Sequence, residues 1–197
     1  MADLVTHTCV AVLAKVLPGR PNVALFVLGT CLPDLLARVP SMGLTWLRWS
    51  VPAIPEWLIH VWVPFHMPVG MLLSSFVLAF LFPERGRGVV FSNLLGGAIL
   101  HLAVDVLQRH LGVGYLLFFP FSWWDFELGW IGSEDTVRIV PVLVPLTMAA
   151  VVWRRRRDRG LRSWGGGSPP QRPPRHAALN PDERGGEPRD SRGSPTH

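Results

Sequence analysis

Residues 62–82 form a run of 21 residues with one histidine and no formal charge. As a helix at about 1.5 Å per residue the run reaches about 31 Å, which matches a hydrocarbon core of about 30 Å. Residues 89–108 are comparable in length but carry Asn93, His101 and Asp105. Residues 137–153 are shorter and contain Pro141 and Pro145, which predicts a kink near the start of that helix. Residues 21–39 open on a proline suited to a first helical turn and hold Pro33 and Asp34 in their second half. Residues 4–17 are apolar but reach only about 20 Å as a helix, so whether they cross a bilayer stays open.

The rest of the composition agrees with a lipid-facing exterior. The chain is 49% apolar and 17% charged, with nine Trp and ten Phe against a single Lys. Such a body cannot present the charged shell of a water-soluble domain. The predicted fold class is therefore all-α: a polytopic membrane helical bundle of four to five helices over residues 1–157. Residues 158–197 turn abruptly to Gly, Pro, Arg and Ser, hold too little apolar material to offset the entropy of ordering, and are expected to be a disordered tail.

The formal charge of +5 sits mainly in Arg154, Arg155, Arg156, Arg157 and the tail. It reads as a topology signal that keeps the C-terminus cytoplasmic, and specific nucleic-acid binding is not expected. Lys15, Arg20, Arg85 and Arg87 then share that side, and residues 40–61 and 109–136 face the other. These outer segments are rich in rings: Trp46, Trp49 and Trp57 in one; Tyr115, Phe118, Phe119, Phe121, Trp123, Trp124, Phe126 and Trp130 in the other. Aromatic rings of this kind sit at headgroup depth, where they either form a partial lid or anchor helix ends. No basic segment precedes the first apolar stretch, so a cleaved signal peptide is not expected. Cys9 and Cys31 lie in apolar runs without a CxxC partner and read as small buried hydrophobes.

An ionisable side chain inside a span costs about 2.5–3.5 kcal/mol on insertion scales and needs a partner or a function. His101 and Asp105 are four residues apart on one predicted helix, and Gly97 and Asn93 extend the same face backward, while Leu95, Ile99, Leu102 and Val106 point elsewhere. In the orientation above, His7, Asp34, His66, His101 and Asp105 all fall toward the outer ends of their helices. Imidazoles and carboxylates at one level are what a divalent ion such as zinc or manganese requires, and the ion would neutralise both carboxylates. Each residue also has a plainer reading. His101 and Asp105 make a helix-internal pair, Asp34 caps a broken helix, and His66 and His7 are solvated at the interface.

The order of short motifs resembles a family. Thr6-His7, Leu32-Pro33-Asp34, His66 opening FHMPVGMLL, His101 to Asp105 as HLAVD, and Phe119 to Ser122 as FPFS are similar, over about residues 4–130, to the YdjM-like bacterial membrane-bound metal-dependent hydrolases. The resemblance implies a helical inner-membrane fold, a divalent-metal site and hydrolytic activity. Two departures stand out. Family members carry a second acid in PDxD where this chain has Leu36, and an HRGxTHS segment with two histidines where this chain has only His66, unless His60 substitutes.

The leading expectation is thus a multi-pass metal-dependent hydrolase of the bacterial inner membrane. Its candidate metal ligands are His7, Asp34, His66, His101 and Asp105, with Asp34 or Asp105 taking the proton from a metal-bound water. Its substrate would be a membrane lipid or lipid-linked ester or phosphoester at the outer leaflet. The rival from another class is a non-catalytic scaffold or small transporter subunit, in which the same side chains tether helices by hydrogen bonds.

Overall fold

The computed structural model describes residues 4–109 and 114–164. Seven α-helices follow in order: α1 (Leu4–Val16), α2 (Val23–Pro33), α3 (Val39–Ser50), α4 (Trp57–His60), α5 (Pro68–Phe80), α6 (Glu84–Val106) and α7 (Ser133–Trp164). A π-helical turn, Asp34–Arg38, joins α2 to α3, and a 3₁₀ turn, Val63–His66, precedes α5. Two short parallel strands, β1 (Gln108–Arg109) and β2 (Ile131–Gly132), close the loop after α6. By compactness the chain divides into Met1–Asp158 and Arg159–His197.

Three helical stretches are long and apolar enough to cross a membrane: Val23–Ser50, Glu84–Val106 and Asp135–Arg159. The first differs from the expected 21–39 because the helix does not stop at Pro40. Proline has no N–H to donate and crowds the carbonyl four residues back. The chain accommodates it with one wide turn, in which the Val39 N–H bonds the Asp34 carbonyl five residues earlier, and then continues as α3.

The expected continuous span 62–82 is instead broken. Trp57–His66 and α5 meet at a bend of 77°. Pro68 disfavours helical geometry in the residue before it, and Met67 accordingly sits at φ −95° and ψ 157°. Gly70 permits the fold-back, since a Cβ there would run into the backbone of Pro64 and Phe65. α1 remains a short apolar helix of 13 residues. α7 is continuous through Pro141 and Pro145 and runs past the boundary expected at 158 to Trp164; residues 165–197, where the rest of the expected tail falls, lie outside the described residues.

The α2/α6 pair is the spine. A Cβ on Gly97 would overlap the Phe26 carbonyl and the Thr30 N–H, and one on Gly29 would overlap the Leu94 backbone. Backbones therefore touch, as small residues allow in membrane helix pairs. Near one end of this spine, Ala79, Val90 and Leu94 form an apolar core with Leu25, Leu78 and Phe91 against it. Toward the other end, Asp34 follows Gly29 and His101 follows Gly97 by about one turn, which brings the two polar residues level.

The outward faces are apolar and aromatic. Trp46, Trp49, Trp123, Trp130 and Phe121 are largely exposed, as rings at headgroup level would be. Tyr115 departs from the interfacial role expected of it: it is buried, held by paired backbone hydrogen bonds to Phe126.

Candidate metal centre

Five buried side chains from different parts of the chain converge. α1 supplies His7, the π turn supplies Asp34, the 3₁₀ turn supplies His66, and α6 supplies His101 and Asp105. The polar stripe of α6 is buried while Ile99 on another face is exposed, as the four-residue spacing predicts.

The donor atoms crowd together. His101 Nε2 lies 2.9 Å from His66 Nε2 and 3.2 Å from Asp105 Oδ2. His66 Nε2 lies 3.1 Å from Asp34 Oδ1 and 3.6 Å from Asp105 Oδ2. His7 Nε2 lies 3.0 Å from Asp105 Oδ1, and its ring stacks on that of His101 with centroids 4.0 Å apart. Ligands held about 2.0–2.2 Å from one ion at tetrahedral or octahedral angles are about 3.0–3.6 Å from each other, so these separations suit a shared cation. Two triads bring their donor atoms within 4.8 Å of one another: His7, His101 and Asp105; and Asp34, His66 and His101.

Orientation supports the same reading. Despite their 3.0 Å separation, His7 Nε2 and Asp105 Oδ1 make no hydrogen bond with acceptable geometry, and both atoms are fully buried. The two atoms face each other as an ion pair without a well-directed hydrogen bond, and a cation bound by both would satisfy them. The donor set of three imidazoles and two carboxylates therefore fits a divalent metal ion. The Nδ1 atoms of His7 and His101 make no hydrogen bond to the described residues, so the second ring nitrogen that usually orients a metal-bound imidazole is not engaged here.

Of the plainer readings, the helix-internal His101–Asp105 pair is present at 3.2 Å, while those for Asp34 and His66 differ from the structure. Asp34 engages His66 and Arg38 in place of a helix end, and His66 is buried, not solvated. His60 does not substitute for a missing ligand: it is exposed and lies 3.9 Å from Glu56. Leu36, where the resembling family has its second acid, lines an apolar groove with Phe65 and Leu78.

Two participants were not anticipated from the sequence. Arg38 reaches Asp34 Oδ1 through Nε at 2.8 Å and Asp105 Oδ2 through Nη2 at 3.5 Å. Its spacing of four from Asp34 was a usable signal. Tyr115 donates its phenol hydrogen to Asp105 Oδ2 and stacks on His66. Burial, with the Asp105 carboxylate beside it, pushes the Tyr115 phenol above its ordinary range, so it stays a donor. Lys15, in the last turn of α1, donates to Asn93 Oδ1 at 2.7 Å and covers the Phe26 ring. Asn93 is thus tied to α1 and lies outside the metal cluster.

Comparison with family models, with curated proteins and with solved structures finds no match to this chain. The functional reading rests on the site itself.

Proposed function

We propose that the protein is a membrane-embedded, metal-dependent hydrolase holding zinc or manganese between His7, Asp34, His66, His101 and Asp105. The observation that carries the reading is the convergence of five buried imidazole and carboxylate groups, whose donor atoms form two triads within 4.8 Å. An ion bound there would lower the pKa of a water and polarise an ester or phosphoester oxygen.

The chain's own residues divide the remaining work. Asp105, fully buried and surrounded by His7, His101, Tyr115 and Arg38, is suited to coordination. Asp34 is the more accessible carboxylate, with 11% of its side chain exposed against 1% for Asp105, and is suited to take the proton of the attacking water. Tyr115 and Arg38 hold the carboxylates in place. With the Arg154–Arg157 block of α7 on the cytoplasmic side of a bacterial inner membrane, the site would lie at the level of the outer leaflet, a depth that favours a lipid or lipid-linked substrate.

The test is metal analysis of protein purified in detergent. Wild type should retain about one zinc or manganese per chain and unfold at a higher temperature when the ion is added, as a ligand of the native state requires. Asp105→Ala should lose both the ion and the response. Metal-free wild type that ignores added zinc and manganese rejects the reading. That outcome favours a scaffold or transporter subunit, since Arg38, Tyr115 and His66 already bond the carboxylates without an ion.

A further inference from the structure

We propose that Arg38 makes this site selective for a phosphomonoester dianion, so that the substrate is a phosphate ester in preference to a neutral carboxylic ester. The inference rests on the metal-dependent reading above and narrows it to a substrate class.

The charge of the cluster decides the matter first. Asp34, Asp105 and the Arg38 guanidinium together carry one net negative charge. A divalent ion turns that into one net positive charge. Two carboxylates and a divalent ion alone would be neutral and would suit a neutral ester equally well. The extra guanidinium, half-buried where Coulomb interactions are stronger than in water, favours an anion.

Geometry supplies the second argument. A guanidinium has five N–H donors in a planar fork matched to phosphate oxygens. Arg38 commits Nε to Asp34 Oδ1 at 2.8 Å, and Nη2 to the Tyr115 hydroxyl at 3.4 Å and Asp105 Oδ2 at 3.5 Å. These contacts run through Nε and Nη2, and 19% of the side chain stays exposed. Arg38 is therefore fixed by two carboxylates and a phenol while one nitrogen remains to receive an oxyanion. The π-helical turn produces this placement, because it ends on Arg38 and begins on Asp34. Single wide turns of this kind are frequent at functional sites.

An apolar groove of about 270 Å³ is lined by His60, Pro64, Met67, Leu116 and Trp123, of which Met67 and Leu116 are the chain neighbours of His66 and Tyr115. Its chemistry suits an acyl chain on the same molecule. In the reaction, water adds to phosphorus and the P–O bond to the alcohol breaks. The alcohol oxygen leaves with one water proton, and inorganic phosphate keeps the hydroxyl.

The experiment uses metal-loaded full-length protein in detergent, read by the rise in unfolding temperature on titration with inorganic phosphate, dioctanoyl phosphatidate or dioctanoylglycerol. Phosphate and phosphatidate should bind and dioctanoylglycerol should not. Arg38→Gln should keep its metal while phosphate binding weakens by about tenfold or more, and Arg38→Lys, should Arg38→Gln fail to fold, should keep the charge but lose the fork and weaken by about tenfold. Tighter binding of phosphatidate than of phosphate identifies a lipid phosphate as the source; equal binding identifies a water-soluble ester, and both uphold the role of Arg38. Metal-loaded wild type that does not bind phosphate, or variants that bind it as wild type does, overturns this inference alone. Failure of wild type to take up metal overturns both this inference and the hydrolase reading.

Discussion

The two ends of the α2/α6 spine are built on different physics. At one end Ala79, Val90 and Leu94 meet through van der Waals packing alone, because lipid tails outside are as apolar as the side chains inside. Each residue there contributes its own contacts, and the loss of one leaves its neighbours intact. At the other end His7, Asp34, Arg38, His66, His101, Asp105 and Tyr115 share atoms. Asp105 alone engages five of the others: His7, Arg38, His66 and His101 within 3.6 Å, and Tyr115 through its phenol. Removing an imidazole or a carboxylate leaves several buried groups without partners, and breaking such a pair costs about 3–5 kcal/mol. The apolar end is additive and tolerant; the polar end is cooperative and brittle.

Substitutions can break this contrast, and the largest effect belongs to the residue that serves both ends. Gly97→Leu places a branched side chain into the Phe26 and Thr30 backbone, so α2 must move away from α6. Both cooperative unfolding in detergent and metal retention should be lost. A variant that keeps its metal would mean the two helices do not need to touch.

Leu94→Ala is confined to the apolar end, where Leu94 is 1% exposed. It should lower stability by about 2–5 kcal/mol through the cavity it leaves, with metal content unchanged. A parallel loss of metal would show that the ends are coupled and remove the distinction drawn above. His60→Ala should have the smallest effect. His60 is 66% exposed, and both unfolding temperature and metal content should match wild type. A loss of metal in that variant would return His60 to the ligand set.

Much of this contrast was legible in local pattern. The stripe Asn93, Gly97, His101 and Asp105 is periodic on one helix, and period alone put it on a buried face. Leu32-Pro33-Asp34 and the histidine before α5 were visible because an ionisable group in an apolar run has few explanations. Arg38 and Tyr115 were misread because the relevant contacts are not local. Arg38 looks like a charge at a helix end until the π turn carries the helix through Pro40, and Tyr115 looks like one more interfacial ring until its pairing with Phe126 folds it back over His66. The break at Met67 was readable from Pro68, yet the apolar length of 62–82 outweighed it.

Composition and periodicity by themselves determined that the chain is helical and which faces cannot meet lipid, because these follow from the cost of exposing polar groups to hydrocarbon residue by residue; they offered four spans, where the structure has three long apolar helices and a fourth stretch bent by 77°. Which polar groups meet was decided only in three dimensions. The Gly29 and Gly97 contact sets the height of Asp34 against His101, the bend at Met67 turns His66 inward, and the loop after α6 returns Tyr115 to Asp105. Coordination depends on separations of a few ångströms between atoms far apart along the chain, and no local pattern encodes them.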